Sequence, residues 1–233
     1  IVYNFAALAD LNRALDEPIE TVKSNILGTV NALDVCRKYK IKRFIHASTI
    51  YANSSDGGFY RCSKKAAEDY VDEYNKIYGI NYTILRYGSI YGPRSDDTNG
   101  VNKIIKNAIL TGEINYMGNK NSVREYIHVF DAALASVGVL KNEFKNKCII
   151  ITGKKSVKVS KFLKILAKIM QLSGKISFQN RGNKGHYTKA PSPYKAKLGS
   201  KYLNLTYVGF EESLLKLVED IKKDTNRDLS KKK

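Results

Sequence analysis

The feature that most constrains the fold of this chain is the alternation of buried-strand patterns with helical patterns over its first part. Three runs rich in β-branched and aromatic residues, IVYNFAA, RFIHAST and NYTILRYG, are typical of buried strands. Helical patterns separate them, one from Pro18 to Tyr39 and the next beginning at Tyr60. Because parallel strands need crossover connections, this order predicts an α/β fold, a parallel sheet with helices on both faces.

The later part of the chain is less regular. Helices are predicted over VNKIIKNAIL, from Asp131, over VSKFLKILAKIM and over FEESLLKLVEDIKKD, with an extended stretch ending in EYIHV and a strand at CIIITG. We therefore predict that residues 1–94 and 126–153 build the sheet domain, while residues 95–125 and 154–233 form a smaller C-terminal lobe.

Charge and cysteine content narrow the possible partners. The net charge of +18 favours anionic ligands, but lysines occur in every segment and no nucleic-acid-binding motif stands out, so we expect no specific nucleic-acid partner. Cys36, Cys62 and Cys148 lack paired spacing, which suits a reducing compartment. We find no run of membrane-span length and no signal peptide, and predict a cytoplasmic protein with no membrane association and no metal site.

A tyrosine and a lysine four positions apart, Tyr60 and Lys64, stand at the head of the second helical pattern. Spacing alone is weak evidence, because chance placement in so lysine-rich a chain gives about two such pairs. The other pair, Tyr116 and Lys120, lies in NYMGNKNS, where Gly118 predicts a turn. In the helix, Tyr60 and Lys64 share one face. From the residues alone, a partly exposed aromatic beside a solvated lysine is the favoured interpretation, and a catalytic pair is the alternative.

Each predicted strand ends in residues that suit a ligand site, and open α/β sheets bind ligands at the carboxyl ends of their strands. The first ends at Ala6 and Ala7, whose small side chains let a flat ligand approach the backbone. The second ends in Ser48 and Thr49, two hydroxyls beside the Tyr60 helix. The third runs into LRYGSIYGPR, an irregular exit. Helix packing, caps and turns would also account for these residue types.

Six segments in order resemble the extended short-chain dehydrogenase/reductase superfamily, in its branch of NAD-dependent nucleotide-sugar epimerases and dehydratases, which includes UDP-glucose 4-epimerase. They are NFAALAD, NILGTVNALDVC, HAST, YRCSK, LRYGSIYGPR and SVREYIHVFDAA. The resemblance implies a Rossmann-like parallel sheet that binds NAD. Residues 1–94 and 126–153 would then be the remainder of that domain, and the C-terminal lobe would bind the substrate.

The resemblance also implies roles for individual residues. Tyr60 would take the proton of a sugar hydroxyl as hydride leaves for the nicotinamide, and Lys64 would lower the pKa of the phenol and hold the ribose. Thr49 would hydrogen-bond the reacting oxygen, and Arg124 would bind the diphosphate with its planar guanidinium. The remaining cofactor-binding residues are Ala6, Ala7, Asn25, Ser48 and Tyr87, and Ser89 would contact the substrate. A solvated helix-face amide is the alternative for Asn25, and a surface salt bridge for Arg124.

The family's glycine-rich phosphate loop and the acidic residue that recognises the ribose belong to strands before IVYNFAA. The sequence as given does not contain them. We therefore expect it to be a fragment of a longer chain that lacks the N-terminal strands. A reduced, non-catalytic dinucleotide-binding relative is the alternative.

The residues after Thr49 favour epimerisation over elimination. Dehydratases of the family carry Asp and Glu there as acid and base, whereas this chain has Ile50 and Tyr51. Ser89 stands where the family usually has Asn, which leaves the identity of the sugar open. We predict a homodimeric epimerase of UDP- or dTDP-hexoses that works through a keto-sugar intermediate. A dehydratase or reductase of the same substrates is the alternative.

Overall fold

The computed structural model describes residues 1–172, 174–179 and 199–230; the rest of the predicted lobe lies outside this range. The strands of the described residues are β1 (Val2–Asn4), β2 (Phe44–Thr49), β3 (Tyr82–Tyr87), β4 (Ser89–Tyr91), β5 (Ile114–Met117), β6 (Val123–Arg124), β7 (Tyr126–His128), β8 (Lys147–Ile151), β9 (Val157–Lys158), β10 (Ile176–Gln179) and β11 (Ser200–Lys201). The α-helices are α1 (Leu11–Asp16), α2 (Pro18–Thr21), α3 (Gly28–Lys38), α4 (Gly58–Tyr78), α5 (Gly100–Thr111), α6 (Val129–Gly138), α7 (Val159–Ile169) and α8 (Phe210–Ser230).

Five parallel strands form the main sheet, in the order β1, β2, β3, β8 and β11. Thr49 at the end of β2 is paired with Tyr87 at the end of β3, so the carboxyl ends of these strands share one edge. The predicted α/β fold with a parallel sheet is confirmed. The strand β11 pairs with β8 although it lies in the segment that we assigned to the lobe. Its two residues are too few to show a strand period, and the domain division stays a prediction.

Helices cover both faces of this sheet. Successive side chains of a strand point to opposite faces, so neighbouring residues of β2 pack against different helices. On one face Phe44 packs with Leu33 of α3 and Val71 of α4. On the other, Ile45 packs with Ala135 of α6. Burying a large apolar side chain contributes about 1.5–3 kcal/mol, so the two layers hold β2 in place between them.

A second apolar core lies in the C-terminal part. Ile105 of α5, Phe162 of α7 and Leu214 of α8 are fully buried in it. The short pairs β4 with β7 and β6 with β9 connect this core to the edge of the sheet where the strands end. No helix of the described residues is both long and apolar enough to cross a membrane.

The first strand and the helix predicted from Asp131 differ from their predicted bounds. The first strand ends at Asn4, so Ala6 and Ala7 lie in the loop that follows it. The helix predicted from Asp131 begins at Val129, because His128 Nδ1 accepts a hydrogen bond from the Phe130 amide at 3.3 Å and caps the helix.

The helix predicted from Pro18 to Tyr39 is interrupted. A wider, π-helical turn, Val22–Leu27, separates α2 from α3. Asn25 lies in this turn and is fully buried, hydrogen-bonded to backbone and side-chain groups of other elements. Single π turns in α-helices are often found at functional sites.

Candidate active site

Tyr60 and Lys64 lie in the first two turns of α4, which begins beside the carboxyl end of β2. Gly57 precedes the helix with φ of 106°, a conformation that L-residues with a side chain rarely adopt. A Cβ atom on Gly57 would lie 2.9 Å from Cδ1 of Tyr51. The glycine thus lets the chain pass close to the turn after β2 and bring Tyr60 near Thr49.

Tyr60 and Thr49 are joined by a side-chain hydrogen bond. Burial raises the pKa of Tyr60 to about 12, and the bond to Thr49 offsets this only in part. The resemblance implied that Lys64 lowers this pKa; in the structure the largest effect is burial, which raises the pKa because loss of water disfavours the phenolate, and the group that lowers it is Thr49.

Lys64 is buried, with only 3% of its surface exposed. Its Nζ donates a hydrogen bond to the carbonyl oxygen of Ala47 in β2 at 2.9 Å. Burial lowers the pKa of Lys64 to about 8, and the negative charge of Glu68 opposes this effect. An ammonium carries three donors, so it can bond to further acceptors besides Ala47.

Thr49 ends β2 and begins a short 3₁₀ turn, Ile50–Asn53. Its Oγ1 accepts a hydrogen bond from the Tyr51 amide at 3.2 Å. Ile50 and Tyr51 pack against Tyr60 in a small apolar cluster. The positions where dehydratases have an acid and a base are thus filled by packed, uncharged side chains.

Asn25 connects the loop after β1 to α4. Its Oδ1 accepts from the Leu8 amide at 2.7 Å, and its Nδ2 donates to the Leu8 carbonyl at 3.0 Å and to Ser63 Oγ at 2.9 Å. The alternative of a solvated amide therefore does not apply. Ser63 directly precedes Lys64, so Asn25 stabilises both the backbone that carries Ala6 and Ala7 and the helix that carries the lysine.

Ser48 belongs to a buried polar cluster beneath α4. Its Oγ donates to Glu68 Oε1 at 2.5 Å, and Glu68 accepts two further bonds from Arg86 of β3. This hydroxyl has an internal partner, and the assignment of Ser48 to the cofactor stays a prediction. Glu68 and Arg86 were not predicted from the sequence. The signal was present, because a charged residue inside the apolar strand NYTILRYG requires a buried partner.

Aromatic side chains line the edge of the sheet beyond β1 and β3. The Tyr87 hydroxyl lies 2.6 Å from Ser136 Oγ of α6, and its ring is 6.4 Å from the ring of Phe5. Phe5 is 56% exposed, and Ala6 beside it is exposed as well. This exposed edge has room for a flat ring, and the cofactor-binding roles of Ala6, Ala7 and Tyr87 stay predictions.

The predicted substrate residues Ser89 and Arg124 lie near each other. The Ser89 amide donates to the carbonyl oxygen of Glu125 at 3.1 Å, and β6 with Arg124 pairs with β9. Arg124 is buried, with 7% of its surface exposed, so the alternative of a surface salt bridge does not apply. One of its Nη atoms donates to the Val123 carbonyl at 3.1 Å.

Two cavities of about 400 and 470 Å³ lie in the described part of the chain, and neither is lined by Thr49, Tyr60 or Lys64. His128, Lys155 and Phe210 are among the lining residues of the first, and Arg94 and Asp224 are among those of the second. The candidate site is therefore defined by linked side chains and strand ends rather than by either cavity.

The chain is similar to known epimerases in sequence. The model of the NAD dependent epimerase/dehydratase family matches residues 1–151. A protein of Methanocaldococcus jannaschii, named as a candidate UDP-glucose 4-epimerase, is 32% identical over 175 residues, which cover 67% of this chain and 56% of the relative. The chain spans less than two thirds of the length of the curated relatives that it matches most strongly.

The fold of the chain is also similar to the folds of solved epimerase structures. UDP-glucose 4-epimerase of Thermotoga maritima, solved with UDP-glucose, has a TM-score of 0.76 at 26% identity, over 96% of this chain and 77% of that chain. UDP-glucuronic acid 4-epimerase of Bacillus cereus, solved with UDP-glucuronic acid and NAD, has a TM-score of 0.82 at 22% identity, over 95% and 75%. The predicted Rossmann-like fold is confirmed, and the family's description agrees with NAD as the expected cofactor. Since the family model covers most of its length, the chain belongs to the NAD dependent epimerase/dehydratase family.

Proposed function

We propose that this chain carries the catalytic residues of an NAD-dependent nucleotide-sugar 4-epimerase. The observation that carries the proposal is the linked set of Thr49, Tyr60 and Lys64 at the carboxyl edge of a parallel sheet. The names of its relatives support the same activity. Cytoplasmic location and a homodimer, expected from the sequence, stay predictions.

NAD fits the residues at this edge. Lys64 has donors left for the ribose hydroxyls, and Ala6 and Ala7 leave the backbone after β1 open to a flat ring. Asn25 fixes that backbone through its bonds to Leu8. When bound, NAD would accept a hydride from the sugar carbon and return it.

Tyr60 would move the proton that accompanies the hydride. With a pKa near 12 its phenol is protonated at neutral pH, so it must become a better base when substrate and cofactor are bound. A cationic Lys64 one helical turn away and the Thr49 hydroxyl are the groups that favour the phenolate. Thr49 would also orient the sugar oxygen, because its hydroxyl already bonds to Tyr60.

The substrate class that we propose is a UDP- or dTDP-hexose. Arg124 would bind the diphosphate, since a guanidinium matches phosphate oxygens with two parallel donors. Ser89, beside Arg124, would contact the sugar. Epimerisation is favoured over loss of water, because Ile50 and Tyr51 offer no carboxylate.

Product analysis tests this proposal. The protein, expressed with the full encoded sequence around this chain, is incubated with NAD and with UDP-glucose, UDP-glucuronic acid or dTDP-glucose. We expect a C4 epimer from at least one of them. A 4-keto-6-deoxy sugar, recognised by the mass loss of one water, would instead make the chain part of a dehydratase.

A pair of matched variants tests the role of Tyr60. Tyr60→Phe removes one phenolic oxygen and should abolish epimerisation while the circular dichroism spectrum stays that of the parent. Tyr116→Phe, in the other Tyr-x-x-x-Lys pair on β5, should leave turnover unchanged. If Tyr60→Phe turns over within about tenfold of the parent, Tyr60 is not the base.

A further inference from the structure

A buried ion pair lies beside the proposed catalytic residues. Arg86 donates from Nε to Glu68 Oε1 at 2.9 Å and from Nη2 to Glu68 Oε2 at 2.6 Å. Less than a tenth of either side chain is exposed. Apolar replacements often stabilise a fold as well as a buried ion pair does, because both charges lose their water. Its presence here therefore suggests a role other than stability.

The ion pair joins β3 to the two elements that carry the proposed catalytic set, β2 and α4. Glu68 follows Lys64 by one helical turn on α4. It also accepts the hydrogen bond of Ser48, the residue before Thr49 on β2. Arg86 lies on β3. Its guanidinium also donates to the side-chain oxygen of Asn53, when the Asn53 amide is oriented so that its oxygen faces the guanidinium. Asn53 ends the 3₁₀ turn that follows Thr49.

Several titratable groups face Lys64. Glu68 on its own helix is a carboxylate whose charge raises the pKa of Lys64. His46 of β2 also interacts with it, but burial lowers the pKa of His46 to about 3, so this ring is neutral at physiological pH. Arg86 of β3 holds Glu68 from the other side. The charge that favours a protonated Lys64 therefore comes from Glu68.

We propose that Glu68, held by Arg86 and Ser48, is a positioning residue that keeps Lys64 protonated and fixed beside the carboxyl end of β2. The inference rests on the proposed function, in which Lys64 acts on Tyr60 and on the ribose. It makes a claim about one ammonium group, however, that can be measured without substrate or turnover.

The test is an NMR titration of Lys64 in the full chain with ¹³C at the lysine ε-carbons. The Lys64 signal is assigned by its loss in Lys64→Arg. Glu68→Gln keeps the size and removes the charge, and should lower the titration midpoint of Lys64 by about one pH unit, the low end of the effect of a nearby opposite charge.

The matched control is Asp72→Asn. Asp72 is another carboxylate of α4 that bonds to β3, since it accepts from the Tyr82 hydroxyl at 3.0 Å, but it lies two turns beyond Lys64. Its loss should leave the Lys64 midpoint at the value of the parent. An equal shift in Asp72→Asn would mean that any loosening of α4 moves Lys64, and would overturn the proposal.

Glu68→Gln leaves Arg86 charged and buried, which can prevent folding. The double variant Glu68→Gln with Arg86→Met removes the unpaired guanidinium as well, and should also lower the midpoint. An unchanged midpoint in whichever of these proteins folds contradicts the positioning role. The proposed function is tested separately, by the product analysis, so a failure of one proposal can be distinguished from a failure of the other.

Discussion

Burial acts in opposite directions on the two central residues of the site. It raises the pKa of Tyr60 to about 12 and lowers that of Lys64 to about 8, because loss of water disfavours the charged form of each. At neutral pH the phenol is therefore neutral, and Lys64 is cationic by a narrow margin. The groups that oppose burial are the Thr49 hydroxyl, which lowers the pKa of Tyr60, and the charge of Glu68, which raises the pKa of Lys64.

The first prediction concerns Thr49, whose hydroxyl bonds to Tyr60. Thr49→Val keeps the shape and removes this hydroxyl, so turnover should fall by ~10- to 1000-fold, the range for one positioned donor. Thr83→Val is the control, because Thr83 is a buried threonine of β3 that bonds to the Phe144 carbonyl instead. Steady-state epimerisation assays of both variants give the comparison. Equal losses would mean that Thr49 acts through packing.

A second prediction at this scale concerns Arg124. Arg124→Ala should raise the dissociation constant of the nucleoside diphosphate more than it lowers kcat, since a diphosphate contact exists in ground and transition states alike. Isothermal titration with UDP, beside the epimerisation assay, separates the two effects. An unchanged dissociation constant would make Arg124 a structural residue of the β6–β9 pair.

At the scale of elements, the sequence predicted the parts whose pattern is local. The buried runs of β2, β3 and β8 and the period of α4, α5 and α7 were sufficient to identify them. The π-helical turn was missed, because it depends on Asn25 bonding to Leu8, a contact between distant positions. Arg86 inside an apolar strand signalled a buried partner, but no local pattern identified Glu68, which lies 18 positions away, as that partner.

The two ends of α4 give a matched test of how the helix is placed. Gly57 and Gly79 both have left-handed φ values, 106° and 69°. A Cβ on Gly79 meets nothing within 4 Å, whereas one on Gly57 meets Tyr51 and Arg61 at 2.9 Å.

Gly79→Ala should therefore cost about 1–2 kcal/mol of unfolding free energy from backbone strain alone. Gly57→Ala should cost more and also reduce epimerisation, because it moves the start of the helix that carries Tyr60. Urea unfolding and activity are measured on both. If Gly57→Ala behaves like Gly79→Ala in both assays, the close contact with Tyr51 does not position the site.

For the whole molecule, charge determines how stability depends on pH. The chain carries a net charge of +18, so loss of lysine protons at high pH reduces repulsion throughout. Burial of Lys64 adds a local effect of the same sign. The unfolded chain keeps the Lys64 proton up to its ordinary pKa of 10.5, whereas the folded chain releases it near 8. Between these values the unfolded state binds the Lys64 proton and the folded state does not, so the contribution of Lys64 to stability rises with pH across this window.

The last prediction isolates the effect of Lys64 by comparing the stability of the parent with that of a variant that lacks this ammonium group. Lys64→Met keeps the length of the buried side chain and removes its titration, so at pH 7 it should be more stable than the parent, by at most about 3 kcal/mol. This difference should shrink between pH 8 and 10.5, where the parent loses the proton. Lys65→Met is the control, because Lys65 is an exposed neighbour paired with Asp69 and shares the general effect of charge. The urea unfolding midpoints of all three proteins are measured across this pH range. A constant difference between Lys64→Met and the parent would mean that Lys64 keeps an ordinary pKa in the fold.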